Sequence, residues 1–245
     1  MNELVQIALL ILAVIIGGLI VVWLDAINQR KIIKMLLAFS GGFLLAIAFV
    51  HFLPELYQDH QSSIGIFVLL GFLIQLFLEY FSGGIEHGHV HHHADKKIPW
   101  MLFISLSIHS FIEGIPLTYP MELHHHHVGE SSSVNSLLYG IILHQIPVAI
   151  ALMTLLKVAG MNSLKSWGIL LLFSIMTPLG LVFGYFWGGG INLQHMNYLL
   201  AIVIGMFLHI STTIIFETSE NHKFNLIKLV SILFGVLLAL MITRV

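Results

Sequence analysis

Cysteine is missing altogether from this chain, and charge is scarce. Without thiols no disulfide can staple the fold, and any metal must be held by imidazole, carboxylate, amide, hydroxyl or thioether groups. Charged residues occupy 9% of the 245 positions, against about 25% in a soluble domain. So few charges cannot coat a water-facing surface. A composition that is 58% hydrophobic, with a mean hydropathy of +0.95, therefore belongs in a lipid bilayer. A net charge of −2 and scattered basic residues exclude a nucleic-acid footprint. What is abundant is histidine, whose 16 copies outnumber the 12 acidic or the 10 basic residues.

Apolar runs of bilayer length, about 20 residues at 1.5 Å rise, predict eight helical spans over 4–24, 32–53, 64–82, 98–119, 134–156, 166–187, 197–216 and 225–243. The first opens with Glu3 instead of a basic cluster, and its run is too long for a signal-peptide core. Arg30, Lys31 and Lys34 lie at the turn after span one, and Lys96 and Lys97 precede span four. Lys157 and Lys165 flank the turn after span five, while Lys223 and Lys228 flank the turn after span seven. These alternate connections are predicted to be cytoplasmic, with both termini outside and Arg244 alone on the opposite side. The fold class is an all-α membrane protein of eight transmembrane helices, with 1–245 as a single transmembrane domain. Two connections are His-rich and lack apolar periodicity, and both are expected to be loops: 83–97, "GGIEHGHVHHHADKK", inside, and 121–133, "MELHHHHVGESSS", outside.

Polar groups at membrane depth are the next anomaly. In span four, "LSIHSFIEGIPL" sets His109 and Glu113 four residues apart, on one helical face with Ser105. In span five, "LHQIPVAIAL" places His144 and Gln145 at a matching depth. Pro116, Pro147 and Pro178 each remove a backbone donor and can free a carbonyl nearby. An ionised carboxylate at the bilayer centre costs about 2.5–3.5 kcal/mol on insertion scales. The cost is explained if His109, Glu113 and His144 bind a divalent metal, with Zn²⁺, Fe²⁺, Mn²⁺ and Cu²⁺ all suiting that donor set. The rival reading is a structural hydrogen bond from Glu113 to His109 or His144 that fixes helix packing.

Further donors sit at the ends of other spans. "HFLPE" places His51 and Glu55 at the outer end of span two, with Asp59 and His60 beyond. "FETSENH" places Glu217, Glu220 and His222 at the inner end of span seven. Donors at the outer mouth, centre and inner mouth suggest a path, although each mouth alone reads equally well as interfacial polarity. His209, in "GMFLHISTT", reads better as a hydrogen-bonded packing residue than as a ligand. The loop histidines His87, His89, His91, His92 and His93, and His124 to His127 outside, suit loose metal binding. A solvated linker with no metal role is the alternative.

With these motifs together, the chain resembles the ZIP family of metal-ion transporters over essentially its whole length. The resemblance rests on eight spans, the His-rich loop after span three, "HFLPE", "HSFIEG", "HQIP" and "GMFLHI", where His209 stands at an aromatic position of the family pattern. It implies uptake of Zn²⁺ or a similar divalent cation toward the cytoplasm. It also implies inverted three-helix repeats, spans 1–3 and 6–8, around central helices 4 and 5, a plan common among transporters. "GGFL" in span two and "GMFL" in span seven echo that repeat faintly. The commoner family pattern has Asn where this chain has Ser110, and Glu where it has Val148 and Thr177. Those positions build a second metal position in many members. One transport metal is therefore expected, on His109, Glu113 and His144, with Gln145 or Ser105 as further donors.

A metal-dependent intramembrane hydrolase is the rival from another class, but it needs a third protein ligand and a separate base. The central plane shows one carboxylate and no HExxH. A non-transporting sensor would need an output domain, and the connections are short. The expectation is a transporter, not an enzyme, with no cofactor beyond the transported Zn²⁺, or Fe²⁺ or Mn²⁺ in its place. Its partners are the divalent ion and the lipid bilayer, with no nucleic acid and with room for a homodimer. A chain with no further targeting segment suits a bacterial inner membrane.

Overall fold

The computed structural model describes residues 2–23, 29–57, 63–82, 100–118, 132–188, 193–217 and 226–243. Among these, the helices are α1 (Glu3–Trp23), α2 (Gln29–Ile47), α3 (Leu53–Tyr57), α4 (Ile64–Ser82), α5 (Trp100–Gly114), α6 (Ser132–Val158), α7 (Ser163–Ser174), α8 (Met176–Gly188), α9 (Leu193–Glu217) and α10 (Leu226–Thr243). A π-helical turn, Ala48–Phe52, joins α2 to α3, and a 3-10 turn, Ile115–Thr118, continues α5. Together α2 and α3 form the second predicted span, and α7 and α8 the sixth. Among the described residues, 7 helices are long and apolar enough to cross a membrane, and α10 adds the shorter apolar stretch Leu226–Ile242. Large side chains such as Leu12, Ile66, Phe77, Leu233 and Phe234 are between 48% and 68% exposed on the outside of the bundle. In water that surface would be unstable; against acyl chains it is the expected coat.

Prolines account for most interruptions. Pro178 has no N–H for the carbonyl of Ser174, where α7 stops, and its ring would crowd that carbonyl. Ile175 turns instead, its N–H reaching Leu172 O at 3.4 Å, before α8 starts at Met176. The wide turn Ala48–Phe52 likewise precedes Pro54, which has no N–H for Val50 O, and it ends where Leu53 N–H reaches Ala48 O. Pro116 falls in the 3-10 turn. Pro147 is the exception, since α6 runs through it for 27 residues. The turn out of α6 is a Gly C-cap: Gly160 sits at φ 79, and Met161 N–H reaches back to Leu156 O at 3.1 Å. Asn162 then caps α7 by accepting from Lys165 N–H at 2.9 Å.

The spans sort into two bundles. In one, α1 packs along α6 and α7, and α5 along α8; in the other, α2 packs along α10 and α9, and α4 along α9. Contacts of α2 with α6 and of α4 with α5 join them. Exchanging span one with six, two with seven, three with eight and four with five carries the α2–α10 pair onto α9–α4. The same exchange carries α1–α6 onto the α5–α8 pair. Matched spans lie an odd number of crossings apart, so they run in opposite directions, which is an inverted repeat. Glycines mark the equivalent crossings. A Cβ on Gly42 would strike Ile232 O and one on Gly235 would strike Phe39 O, while Gly71 and Gly205 meet Ile202 O and Val68 O in the same fashion. In lipid, where apolar surface offers no drive to associate, such backbone contact is what holds helices together.

A candidate metal site where the bundles meet

The centre of the molecule is polar. His109 is 2% exposed, Glu113 1%, His144 3%, Gln145 3%, and Gln75 and Thr177 no more than 1%. His109 and Glu113 share a face of α5, while His144 and Gln145 come from α6, Thr177 from α8 and Gln75 from α4. Close helix approach brings them together. Gly114 lies so tightly on Thr177 O, and Gly180 on Phe111 O, that neither position has space for a Cβ. That crossing carries Thr177 Oγ1 to 3.4 Å from Glu113 Oε1.

The two carboxylate oxygens of Glu113 differ. Oε1 accepts from Gln145 Nε2 at 3.2 Å and from Thr177 Oγ1. Gln145 Nε2 also donates to Thr177 Oγ1. Oε2 accepts no hydrogen bond and stands 3.2 Å from His109 Nε2. At the other ring nitrogen, His109 Nδ1 lies 3.0 Å from Gln75 Oε1. An amide oxygen only accepts, so Nδ1 carries a hydrogen, and in the neutral ring Nε2 keeps its lone pair. In that state Nε2 and Oε2 confront each other as two electron-rich atoms in a dry interior. The His144 ring stands across from His109, centroids 5.9 Å apart and planes at 81°. Gln145 Oε1 is buried and accepts no hydrogen bond. Among the described residues, no three His, Asp or Glu side chains stand at metal-coordinating spacing.

With this geometry in place, the comparison with known proteins is decisive: the family model for the ZIP Zinc transporter matches residues 3–99 and 85–243. The chain belongs to the ZIP family. It is a divalent metal cation transporter embedded in a membrane. No curated protein matches the sequence.

Not every residue singled out in this ZIP chain joins the central cluster. His51 lies in the π-helical turn and Glu55 in α3; His51 Nε2 and Glu55 Oε2 are buried and make no hydrogen bond. Glu217 ends α9, with its side chain outside the description. His222, Asp59, His60, Glu220, the loop histidines His87, His89, His91, His92 and His93, and His124 to His127 lie outside the described residues. Ser105, Ser110 and Val148 are buried. His209 is a hydrogen-bonded residue of α9, its Nε2 2.5 Å from Glu79 Oε2. Sequence reasoning passed over Gln75 and Glu79. Their signal was present, since they stand four residues apart in "GFLIQLFLEYFS", as His109 and Glu113 do in span four.

Proposed function

We propose that this ZIP protein carries Zn²⁺ toward the cytoplasm by alternating access, with Fe²⁺ or Mn²⁺ as further cargo and both termini outside a bacterial inner membrane. His109, Glu113 and His144 are the ligands of the transport site, and Gln145 Oε1 is a neutral fourth donor. The observation that carries this reading is the pair of opposed acceptors, His109 Nε2 and Glu113 Oε2, 3.2 Å apart. Two lone pairs facing each other in a low-dielectric interior repel, and a cation between them relieves that repulsion. Two donors 2.1 Å from a tetrahedral Zn²⁺ stand about 3.4 Å apart, so this pair needs little adjustment. Two imidazoles on such an ion have centroids about 5 Å apart, so the His144 ring closes by about 1 Å on binding.

Charge balance supports one ion. Glu113 is the carboxylate of the cluster, and Ser110, Val148 and Thr177 supply no second anion. Thr177 is itself uncharged; it accepts from Gln145 and donates to Glu113. His51 with Glu55 serves the outer mouth, and Glu217 with His222 the inner mouth. Two bundles meeting at the site provide the two bodies whose relative movement alternates access. Zn²⁺ uptake into proteoliposomes is the test. Wild type should accumulate the ion, and Glu113→Ala should insert and fold but transport nothing. Normal uptake by that variant at normal expression would remove the site assignment.

A further inference from the structure

We propose that Thr177 is a positioning residue that decides which ion the transport site prefers. Its hydroxyl occupies one oxygen of Glu113 and turns the Gln145 amide, so the site offers four single-atom ligands and selects Zn²⁺ over Mn²⁺. This role rests on the reading above that His109, Glu113, His144 and Gln145 hold the ion. Thr177 itself touches no metal in it.

The hydrogen bonds can be counted atom by atom. Of the two hydrogens on Gln145 Nε2, one goes to Glu113 Oε1 at 3.2 Å and the other to Thr177 Oγ1. The Thr177 hydroxyl gives its single hydrogen to Glu113 Oε1 at 3.4 Å. Oε1 thus receives two donors, one for each lone pair, and keeps none for a metal. Oε2 accepts no hydrogen bond, so Glu113 meets the ion through Oε2 alone. The same count orients the amide. With both hydrogens of Nε2 placed, Gln145 Oε1 is the atom left over, buried and accepting nothing. The reverse orientation would set Oε1 against the carboxylate oxygen, two acceptors at about the same separation.

Thr177 suits this task because its place does not depend on the bonds it makes. Gly114 rests on Thr177 O and Gly180 on Phe111 O, so backbone contact fixes α8 against α5. Thr177 is buried, and its β-branched side chain is stiff at χ1. A hydroxyl is needed there, since it donates to Glu113 and accepts from Gln145 at once. The ligand set that results bears on the choice of ion. Two imidazole nitrogens, one carboxylate oxygen and one amide oxygen complete the tetrahedron that Zn²⁺ prefers. Mn²⁺ favours octahedral, oxygen-rich coordination, and a bidentate Glu113 would bring it nearer to that. Thr177 withholds the second oxygen.

The test uses the full-length chain with His87, His89, His91 to His93 and His124 to His127 replaced by Ala, titrated in a calorimeter with Zn²⁺ and with Mn²⁺. Thr177→Val keeps the shape of the side chain and removes the hydroxyl. With the ion bound, one amide hydrogen of Gln145 then has no acceptor, whereas the empty site lets the amide turn. Zn²⁺ should therefore bind about tenfold more weakly. Mn²⁺ should bind within about twofold of wild type or more tightly, because a second oxygen of Glu113 is released, so the preference for Zn²⁺ falls by about tenfold. Thr177→Ser, which keeps the hydroxyl, should restore the preference. Co²⁺ gives a second readout. The intense visible bands of a four-coordinate ion should appear in wild type and Thr177→Ser and fade in Thr177→Val. A Zn²⁺ to Mn²⁺ ratio unchanged in Thr177→Val, through equal losses or none, would overturn the proposal and mark a packing residue alone. Co²⁺ bands that stay intense in that variant would overturn it too. Glu113→Gln tells this failure from that of the site itself. It should abolish tight binding of both ions, and wild-type Zn²⁺ affinity in it would remove the site assignment and the proposal together. If Glu113→Gln loses binding while Thr177→Val keeps its ratio, the site stands and the role of Thr177 alone falls.

Discussion

Replacing Gln75 by Leu removes its amide, and the effect on metal binding of losing the amide oxygen can be worked from the geometry. In the wild type, Gln75 Oε1 accepts from His109 Nδ1 at 3.0 Å and keeps the ring hydrogen there, leaving Nε2 as a lone-pair donor beside Glu113. In Gln75→Leu the metal-free ring can change tautomer, move its hydrogen to Nε2 and donate to Glu113 Oε2. Metal binding then forces the hydrogen back to Nδ1, where it meets a hydrocarbon. A buried donor without a partner costs about 1–3 kcal/mol. At about 1.4 kcal/mol per factor of ten, Zn²⁺ should bind about 5- to 150-fold more weakly, in line with the 10- to 100-fold losses typical of groups that orient a metal-bound His. Calorimetry on the full-length chain with its loop histidines replaced measures this directly, and uptake should show a raised KM. Affinity within about twofold of wild type would refute the orienting role of Gln75. Tighter binding would be more informative still, since it would place the metal on Nδ1 with Gln75 as its competitor.

Two further variants probe the surroundings. Val148 is buried one turn after His144, so Val148→Glu should add a second anion to the cavity; Zn²⁺ should bind about tenfold more tightly, or as two ions, with slower release, and unchanged affinity would show that Val148 does not address the site. Gly71→Ala should lower the thermal midpoint in detergent through a loss of about 1–3 kcal/mol, because its methyl group would strike Ile202 O, whereas Gly168→Ala, with nothing within 4 Å, should be neutral; equal midpoints would refute the backbone-contact account of the α4–α9 crossing.

Much of the molecule is legible in one dimension because lipid imposes a simple rule. A backbone in hydrocarbon must satisfy its own hydrogen bonds, so every crossing is a helix and every helix is an apolar run of bilayer length. The eight predicted spans map onto the helices within a few residues, and the break between α7 and α8 follows from Pro178. The donor chemistry was equally local: His109 with Glu113 is a pattern within one helix, and His144 with Gln145 is a pair of neighbours.

What composition and spacing left undecided was which helix faces which. Nothing local says that Glu113 receives Gln145 and Thr177 on one oxygen while its other faces His109, nor that Gln75 governs the far side of that ring. His209 shows the same limit. Among Ser and Thr it read as a packing residue, and only the α4–α9 crossing supplied its partner, Glu79. Helix identity is settled by hydrogen bonds within one segment, so the residue order alone determines it. Partnership depends on where glycines in distant segments let two backbones touch, as at Gly71 with Gly205 and Gly114 with Gly180, and that is decided only when the tertiary structure forms.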